Sequence, residues 1–160
     1  MPSLKRSILK SDQRDTTVKQ LQSCLYDLID LALQGKEAHW NVLGPNFRSV
    51  HLQLDEIIDS ARNASDEVAE RIVTLGLSPD GRASQIASKS RLEPMPDGLQ
   101  DVPTTVTLYS DRLAKTISGL RDAIGNTADS DPVSQDLLIG VAAVLEKHLW
   151  MVQAHEGEAR

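Results

Sequence analysis

Cysteine is nearly absent from this 160-residue chain, with Cys24 standing alone. A lone cysteine excludes an intrachain disulfide framework and a multi-cysteine metal site, and it fits a reducing compartment. As a side chain it reads as a small apolar core residue. Aromatics are scarce as well, one Phe, two Tyr and two Trp, which argues against a β-sandwich core. No apolar run approaches the roughly 18 residues that span a bilayer, and Lys5-Arg6 leads into no continuous apolar segment of signal-peptide length. A membrane is therefore not an expected partner, and the expected location is the cytoplasm. Basic charge is in deficit, with 17 Lys+Arg against 23 Asp+Glu and a net charge of -6, so nucleic acid is not expected to meet the body of the fold. What fills the chain instead is 21 Leu, 14 Ala, 11 Val and 9 Ile, material for packed helices. A domain of this length buries roughly two-thirds of its unfolded surface around one core.

The apolar residues are ordered at helical spacing. Val18, Leu21, Leu25, Leu28, Ala32, Gly35 and His39 advance in alternating steps of three and four, which predicts a first helix over about 15 to 42. Gly44-Pro45 ends it, and Asn46 caps a second helix. The stripe of that helix, Phe47, Val50, Leu54, Ile57/Ile58, Ala61, Ala64, Val68, Ile72 and Leu75, continues unbroken to Gly76. From Gly76 to Pro103 the pattern lapses among Pro79, Gly81, Pro94, Pro96 and Gly98, with one short helical stretch at Ala83 to Ser90. A third helix reads from Thr104 to Gly125-Asn126. A fourth opens at Asp131-Pro132, a cap followed by proline at the first helical position. Two helical hairpins joined by one long crossover describe an all-α, ferritin-like four-helix bundle. The expected organisation is a basic tail over 1–14, the bundle over 15–156 and a short end over 157–160.

Side chains able to do chemistry concentrate at the end of the first helix and along the second. With His51 as origin and 100° per residue, Asp55, Asp66 and Glu70 fall at about 40°, 60° and 100°, all within one third of the helix surface. His39 lies on the apolar stripe of the first helix. Imidazoles beside carboxylates suit iron or manganese, whereas structural zinc more often recruits thiolates. Two plainer readings stand beside a metal site: an inward histidine can be a satisfied core residue, and an aspartate four residues after a histidine can be a helix-surface hydrogen bond. Against them, several acids on one partly buried face repel each other unless a cation sits among them.

Distance constrains the site further. Asp55 and Asp66 are about 16 Å apart along the helix axis, too far to share one ion within a chain. One subunit therefore carries two half-sites. If two copies of the second helix pack antiparallel about a two-fold axis near Ala61, His51 and Asp55 of one chain face Asp66 and Glu70 of the other. Isologous symmetry then closes two equal sites per dimer. The chain holds no Glu-x-x-His, the motif with which ferritin-like di-iron proteins build a site inside one bundle.

The segment Lys36-Glu37-Ala38-His39-Trp40-Asn41-Val42-Leu43-Gly44-Pro45-Asn46-Phe47, followed by His51-x-x-x-Asp55, Asp66-x-x-x-Glu70-Arg71 and Leu75-Gly76, resembles the Dps family of bacterial mini-ferritins. The resemblance spans most of the chain and is densest over 36–76. It implies a dodecameric hollow shell with ferroxidase centres at two-fold interfaces, two per interface, where His39, His51 and Asp55 of one subunit meet Asp66 and Glu70 of the next. It implies iron as the metal, Fe(II) oxidised by hydrogen peroxide or dioxygen, and Fe(III) stored as mineral, with protection from oxidative damage as the result. Trp40 matches a family tryptophan near the centre, with core packing as the other reading. Lys36, one turn before His39, reads either as a residue orienting a water or ligand or as an exposed helix lysine. Asp136 matches a carboxylate lining an acidic three-fold pore for iron entry, with Asp131 and Asp129 as further candidates. Acids at a helix start also simply complement the macrodipole.

DNA binding is the other property the family name carries. The C-terminus, His155-Glu156-Gly157-Glu158-Ala159-Arg160, has no basic extension, whereas residues 1–14 hold Lys5, Arg6, Lys10 and Arg14 against Asp12 alone. Any DNA contact is expected through this tail, multivalent and salt-sensitive. The alternative to a ferroxidase is a non-catalytic, nucleoid-associated shell that compacts DNA, which needs the tail but not the ligands. His148 and His155 have no carboxylate at ligand spacing and read as core or surface residues.

Overall fold

The computed structural model describes residues 6–157. Four long helices dominate: α1 (Ser11–Asn41), α2 (Phe47–Thr74), α4 (Val102–Thr127) and α5 (Pro132–Gln153), with short α3 (Ala83–Lys89) in the crossover and a 3-10 turn at Ala154–Glu156. Two-residue strands β1 (Val42–Leu43) and β2 (Gln100–Asp101) pair in parallel, Val42 with Gln100 and Leu43 with Asp101. This pairing, which periodicity over so few residues cannot signal, ties the α1–α2 turn to the entry of α4. The turn itself needs left-handed backbone at Gly44 (φ 107°) and Asn46 (φ 64°), conformations that glycine and asparagine tolerate best.

The core is aliphatic, as the composition requires. Leu21, Leu25, Leu28 and Leu31 of α1 meet Leu54, Ile57, Ile58 and Ile72 of α2, Leu113 and Leu120 of α4 and Leu138 of α5, all essentially inaccessible. Tyr109 is the one aromatic among these largest buried side chains, and its hydroxyl donates to the Leu31 carbonyl at 3.0 Å. A Cβ at Gly35 would lie 2.5 Å from that hydroxyl oxygen and 2.8 Å from Ile58 Cγ1. Gly35 is thus what lets α1 approach α2 and α4 this closely. Cys24 is buried, and burial pushes its thiol up to about 12.

A buried charge fastens the crossover. Asp27, fully inaccessible, accepts from the Arg91 backbone N–H at 3.0 Å, Nε at 2.9 Å and Nη2 at 2.6 Å. Arg91 lies across Gly119, where any Cβ would collide with the guanidinium. Arg112, also buried, donates to the carbonyls of Glu93, Pro94 and Leu108. A long segment with little apolar content is held because its backbone groups have partners in the bundle.

The first helix begins at Ser11, upstream of the expected start near 15. Leu9 packs against the core, and buried Thr17 hydrogen-bonds Ser130 at 2.8 Å. Docking onto the α4–α5 connection, rather than an apolar stripe, therefore sets this end. Arg14 consequently belongs to α1, where it pairs with Asp15 at 2.9 Å, and not to the tail. Arg6 and Lys10 precede the helix and are exposed, and Lys5 lies outside the described residues. Helix α5 with its terminal turn, Pro132–Glu156, reaches a mean hydropathy of 1.3, long and apolar enough by composition to cross a membrane. It is a wall of the bundle, with Leu138, Val141, Ala142, Leu145 and Val152 in the core and Val133, Ile139, Val144 and Trp150 exposed on its outer side.

Candidate metal centre

The α1–α2 hairpin brings the end of one helix beside the start of the next, and two histidines meet there. His39 Nδ1 bonds to the His51 carbonyl at 2.9 Å, and His51 Nδ1 bonds to the His39 carbonyl at 2.9 Å. A carbonyl oxygen only accepts, so each Nδ1 carries a proton and donates it, and each Nε2 stands outside this pair of bonds. The rings stack with centroids 3.6 Å apart and planes 22° from parallel, and Phe47 sits edge-on to His51 at 6.1 Å. His39 is 8% exposed, while His51 is half-buried. Both rings are held in one orientation, as outer-shell bonds do for metal-ligating histidines.

Asp55 follows one turn after His51. Its Oδ1 lies 3.4 Å from His39 Nδ1 and 2.5 Å from Lys36 Nζ. The hydrogen-bonded Lys36 ammonium holds the Asp55 carboxyl below the usual carboxylate range. Lys36 is therefore the counter-ion of Asp55, a role intermediate between ligand positioning and plain surface exposure. Trp40 is 68% exposed, which removes the core-packing reading of that residue.

Asp66 and Glu70 lie on the second half of α2, both exposed. Among the described residues no three His, Cys, Asp or Glu side chains converge on a position for one ion. His39, His51 and Asp55 come together at the α1–α2 turn, whereas Asp66 and Glu70 lie apart from them on the second half of α2.

The pore candidates separate. Asp129 and Asp136 are exposed, but Asp131 is 3% exposed and its carboxylate is taken up by contacts within the bundle. Its carboxylate caps α5 through the Val133 N–H, accepts from Arg71 Nη2 at 2.7 Å, and takes a short hydrogen bond from Ser134 Oγ. Burial alone would raise this carboxyl, but the bonds from Ser134 and Arg71, with the Arg71 charge, outweigh it and hold it low. Arg71, to which the sequence assigned no role, thereby joins the end of α2, next to Glu70, to the start of α5. Its only sequence signal is its place directly after Glu70. His148 Nε2 meets Ser60 Oγ at 2.9 Å and His155 Nε2 meets Gln53 Oε1 at 3.0 Å, so each has a polar partner on α2.

Two helical hairpins joined by a long crossover, with imidazoles and carboxylates arrayed along the α1–α2 hairpin, define a ferritin-like protein, and the ferritin-like domain family matches residues 18–160. Within that class the chain belongs to the Dps mini-ferritins. It is 40% identical over 145 residues to the DNA protection during starvation protein of Mycolicibacterium smegmatis, covering 91% of this chain and 77% of that one. The tetragonal form of Mycobacterium smegmatis Dps superposes with a TM-score of 0.93 at 36% identity, covering 99% of this chain and 96% of the other. Dps from Microbacterium arborescens, in its high iron form, superposes with a TM-score of 0.91 at 29% identity, covering 96% and 100%.

Proposed function

We propose that the chain assembles into a hollow homo-oligomeric shell, a dodecamer, that takes up Fe(II), oxidises it at centres shared between subunits and stores Fe(III) as mineral in the cytoplasm. The observation that carries this reading is the reciprocal lock between His39 and His51, which engages both Nδ1 atoms with backbone carbonyls and leaves both Nε2 atoms outside the lock, beside an Asp55 carboxyl held low. That is a donor group prepared for a divalent cation, and its completion requires the oxygens of Asp66 and Glu70 from a second chain. Carboxylate oxygens stabilise Fe(III) over Fe(II), so the donor set favours oxidation of the bound ion. Two Fe(II) each give one electron to one hydrogen peroxide, which takes up two protons and leaves as two waters, so hydroxyl radical is not released. Dioxygen is the alternative oxidant. Lys36 balances the Asp55 charge before metal arrives. Asp136 and Asp129, exposed at and beside the start of α5, are the remaining carboxylates for drawing cations toward an entry pore.

A non-catalytic DNA-compacting shell has no use for locked imidazoles, and this separates the two readings. The test is anaerobic Fe(II) loading followed by peroxide, with Fe(III) formation read by absorbance. His51→Ala/Asp55→Ala and Asp66→Ala/Glu70→Ala shells should each oxidise iron at least about tenfold more slowly. Mixed shells of the two should recover part of the rate at interfaces that unite two intact halves. Unchanged oxidation in either double variant would place the chemistry elsewhere, and verified mixed shells without recovery would refute the shared centre.

A further inference from the structure

Resting on the reading that half-sites are shared between two antiparallel α2 helices, a second set of residues acquires a meaning. His51 with Glu70, and Asp55 with Asp66, are both centred on the same point of α2, midway between Ser60 and Ala61. Asp59 and Arg62 are centred on that point too. Both are exposed, and both lie on the ligand-bearing third of the helix, at about 80° and 20° from His51. They are three residues apart and opposite in sign, yet among the described residues neither forms an ion pair, with each other or with any neighbour. Leu52 and Ala69 are concentric with them as well. Leu52 is 46% exposed, whereas Ala69 lines an open groove of about 310 Å³ between Leu25, Ile29, Pro79 and Gly81 on one side and Arg62, Ser65 and Asp66 of α2 on the other. A two-fold rotation about the centre therefore sets acid against base and a large apolar side chain against a small one.

We propose that Asp59 and Arg62 form a reciprocal ion pair across the two-fold axis with the partner's Arg62 and the partner's Asp59, and that this four-charge cluster sets the register at which the half-sites meet. At the correct register each Asp59 faces the partner's Arg62. A shift of α2 past its partner by one turn would separate these charges and would also part Asp55 from the partner's Asp66. Lying at the axis, the cluster acts twice per interface, and its pattern is self-complementary only for a second copy of this chain.

The test uses the full chain without iron, and reads assembly by light scattering and native mass spectrometry at low salt. Asp59→Arg places four positive charges at the axis and Arg62→Asp four negative ones. Each single reversal should raise the concentration at which the assembly dissociates by roughly tenfold or more, with helicity by circular dichroism unchanged. Added salt should weaken the effect. The double reversal D59R/R62D restores complementarity and should assemble like the parent. The two single variants mixed together should assemble with one another in alternation at each two-fold interface, because all the positive charge then lies on one chain and all the negative on the other. If single reversals assemble as the parent does, the pairing is wrong. If they dissociate and neither the double variant nor the mixture recovers, the two residues do not face each other. Because iron plays no part in this readout, a parent shell that assembles as described but fails to oxidise Fe(II) would refute the proposed function while leaving the pairing standing.

Discussion

Replacing Asp131 by alanine separates a structural acid from a pore acid, and the outcome can be worked from the contacts. The carboxylate caps α5 at Val133 and is paired with Arg71, whose side chain is 13% exposed. Loss of an N-cap costs about 1 kcal/mol. Leaving a buried charge unpaired costs about 3 to 5 kcal/mol in full burial, and the partial hydration of Arg71 brings this to about 2. The sum, about 3 kcal/mol, corresponds to a fall in melting temperature of about 6 to 12 °C for a domain of this size. Thermal unfolding followed by circular dichroism, at one fixed subunit concentration because assembly shifts the transition, measures it. Asp129→Ala and Asp136→Ala, at exposed positions, should each stay within about 2 °C of the parent. An Asp131→Ala protein that melted within that same range, yet took up iron more slowly, would refute the structural assignment and return Asp131 to the pore. The acid limb supplies a further check. The folded-state carboxyl of Asp131 is held low, so its contribution is complete above the ordinary carboxylate range near about pH 4 and disappears as pH falls through the lower folded value. Asp131→Asn has no such charge to lose, and its deficit against the parent should therefore shrink below about pH 4.

Three other outcomes are expected. Gly35→Ala should destabilise the fold by about 1 to 3 kcal/mol, because the new methyl lands on the Tyr109 hydroxyl and Ile58. Combining it with Tyr109→Phe should relieve only part of the loss in denaturant melts, since the clash with Ile58 persists; full recovery would show that the hydroxyl contact alone matters. Lys36→Met removes the cation seated on Asp55, so anaerobic titration calorimetry should show Fe(II) bound several-fold more tightly, and weaker binding would mean that Lys36 helps to hold the ion. Replacing Lys5, Arg6 and Lys10 by glutamine should abolish low-salt gel shifts of DNA without slowing iron oxidation. Each phosphate contact contributes a salt slope of about 0.9, so persistence of the parent's salt dependence in the variant would exclude a tail-borne contact.

Helical periodicity in the sequence determines most of the architecture by itself. Alternating steps of three and four along α1 and α2, the Gly44-Pro45 break and the Asp131-Pro132 start are local signals, because a helix buries a face through residues that are neighbours in sequence. The placement of Asp55 and Asp66 on one face, and their separation along it, follow from the rise and twist of a helix for the same reason. Other features depend on groups that only the closed fold brings together. The helix extends to Ser11 because Leu9 and Thr17 find partners elsewhere in the bundle, a contact without local periodicity. Asp131 has the sequence appearance of any acid at a helix start, and it became a buried clamp because Arg71, 60 residues earlier, arrives beside it. The ring orientations of His39 and His51 were equally hidden. Each ring takes its orientation from the backbone carbonyl of the other residue, so neither side chain is specified until the α1–α2 hairpin closes and sets both carbonyls in place.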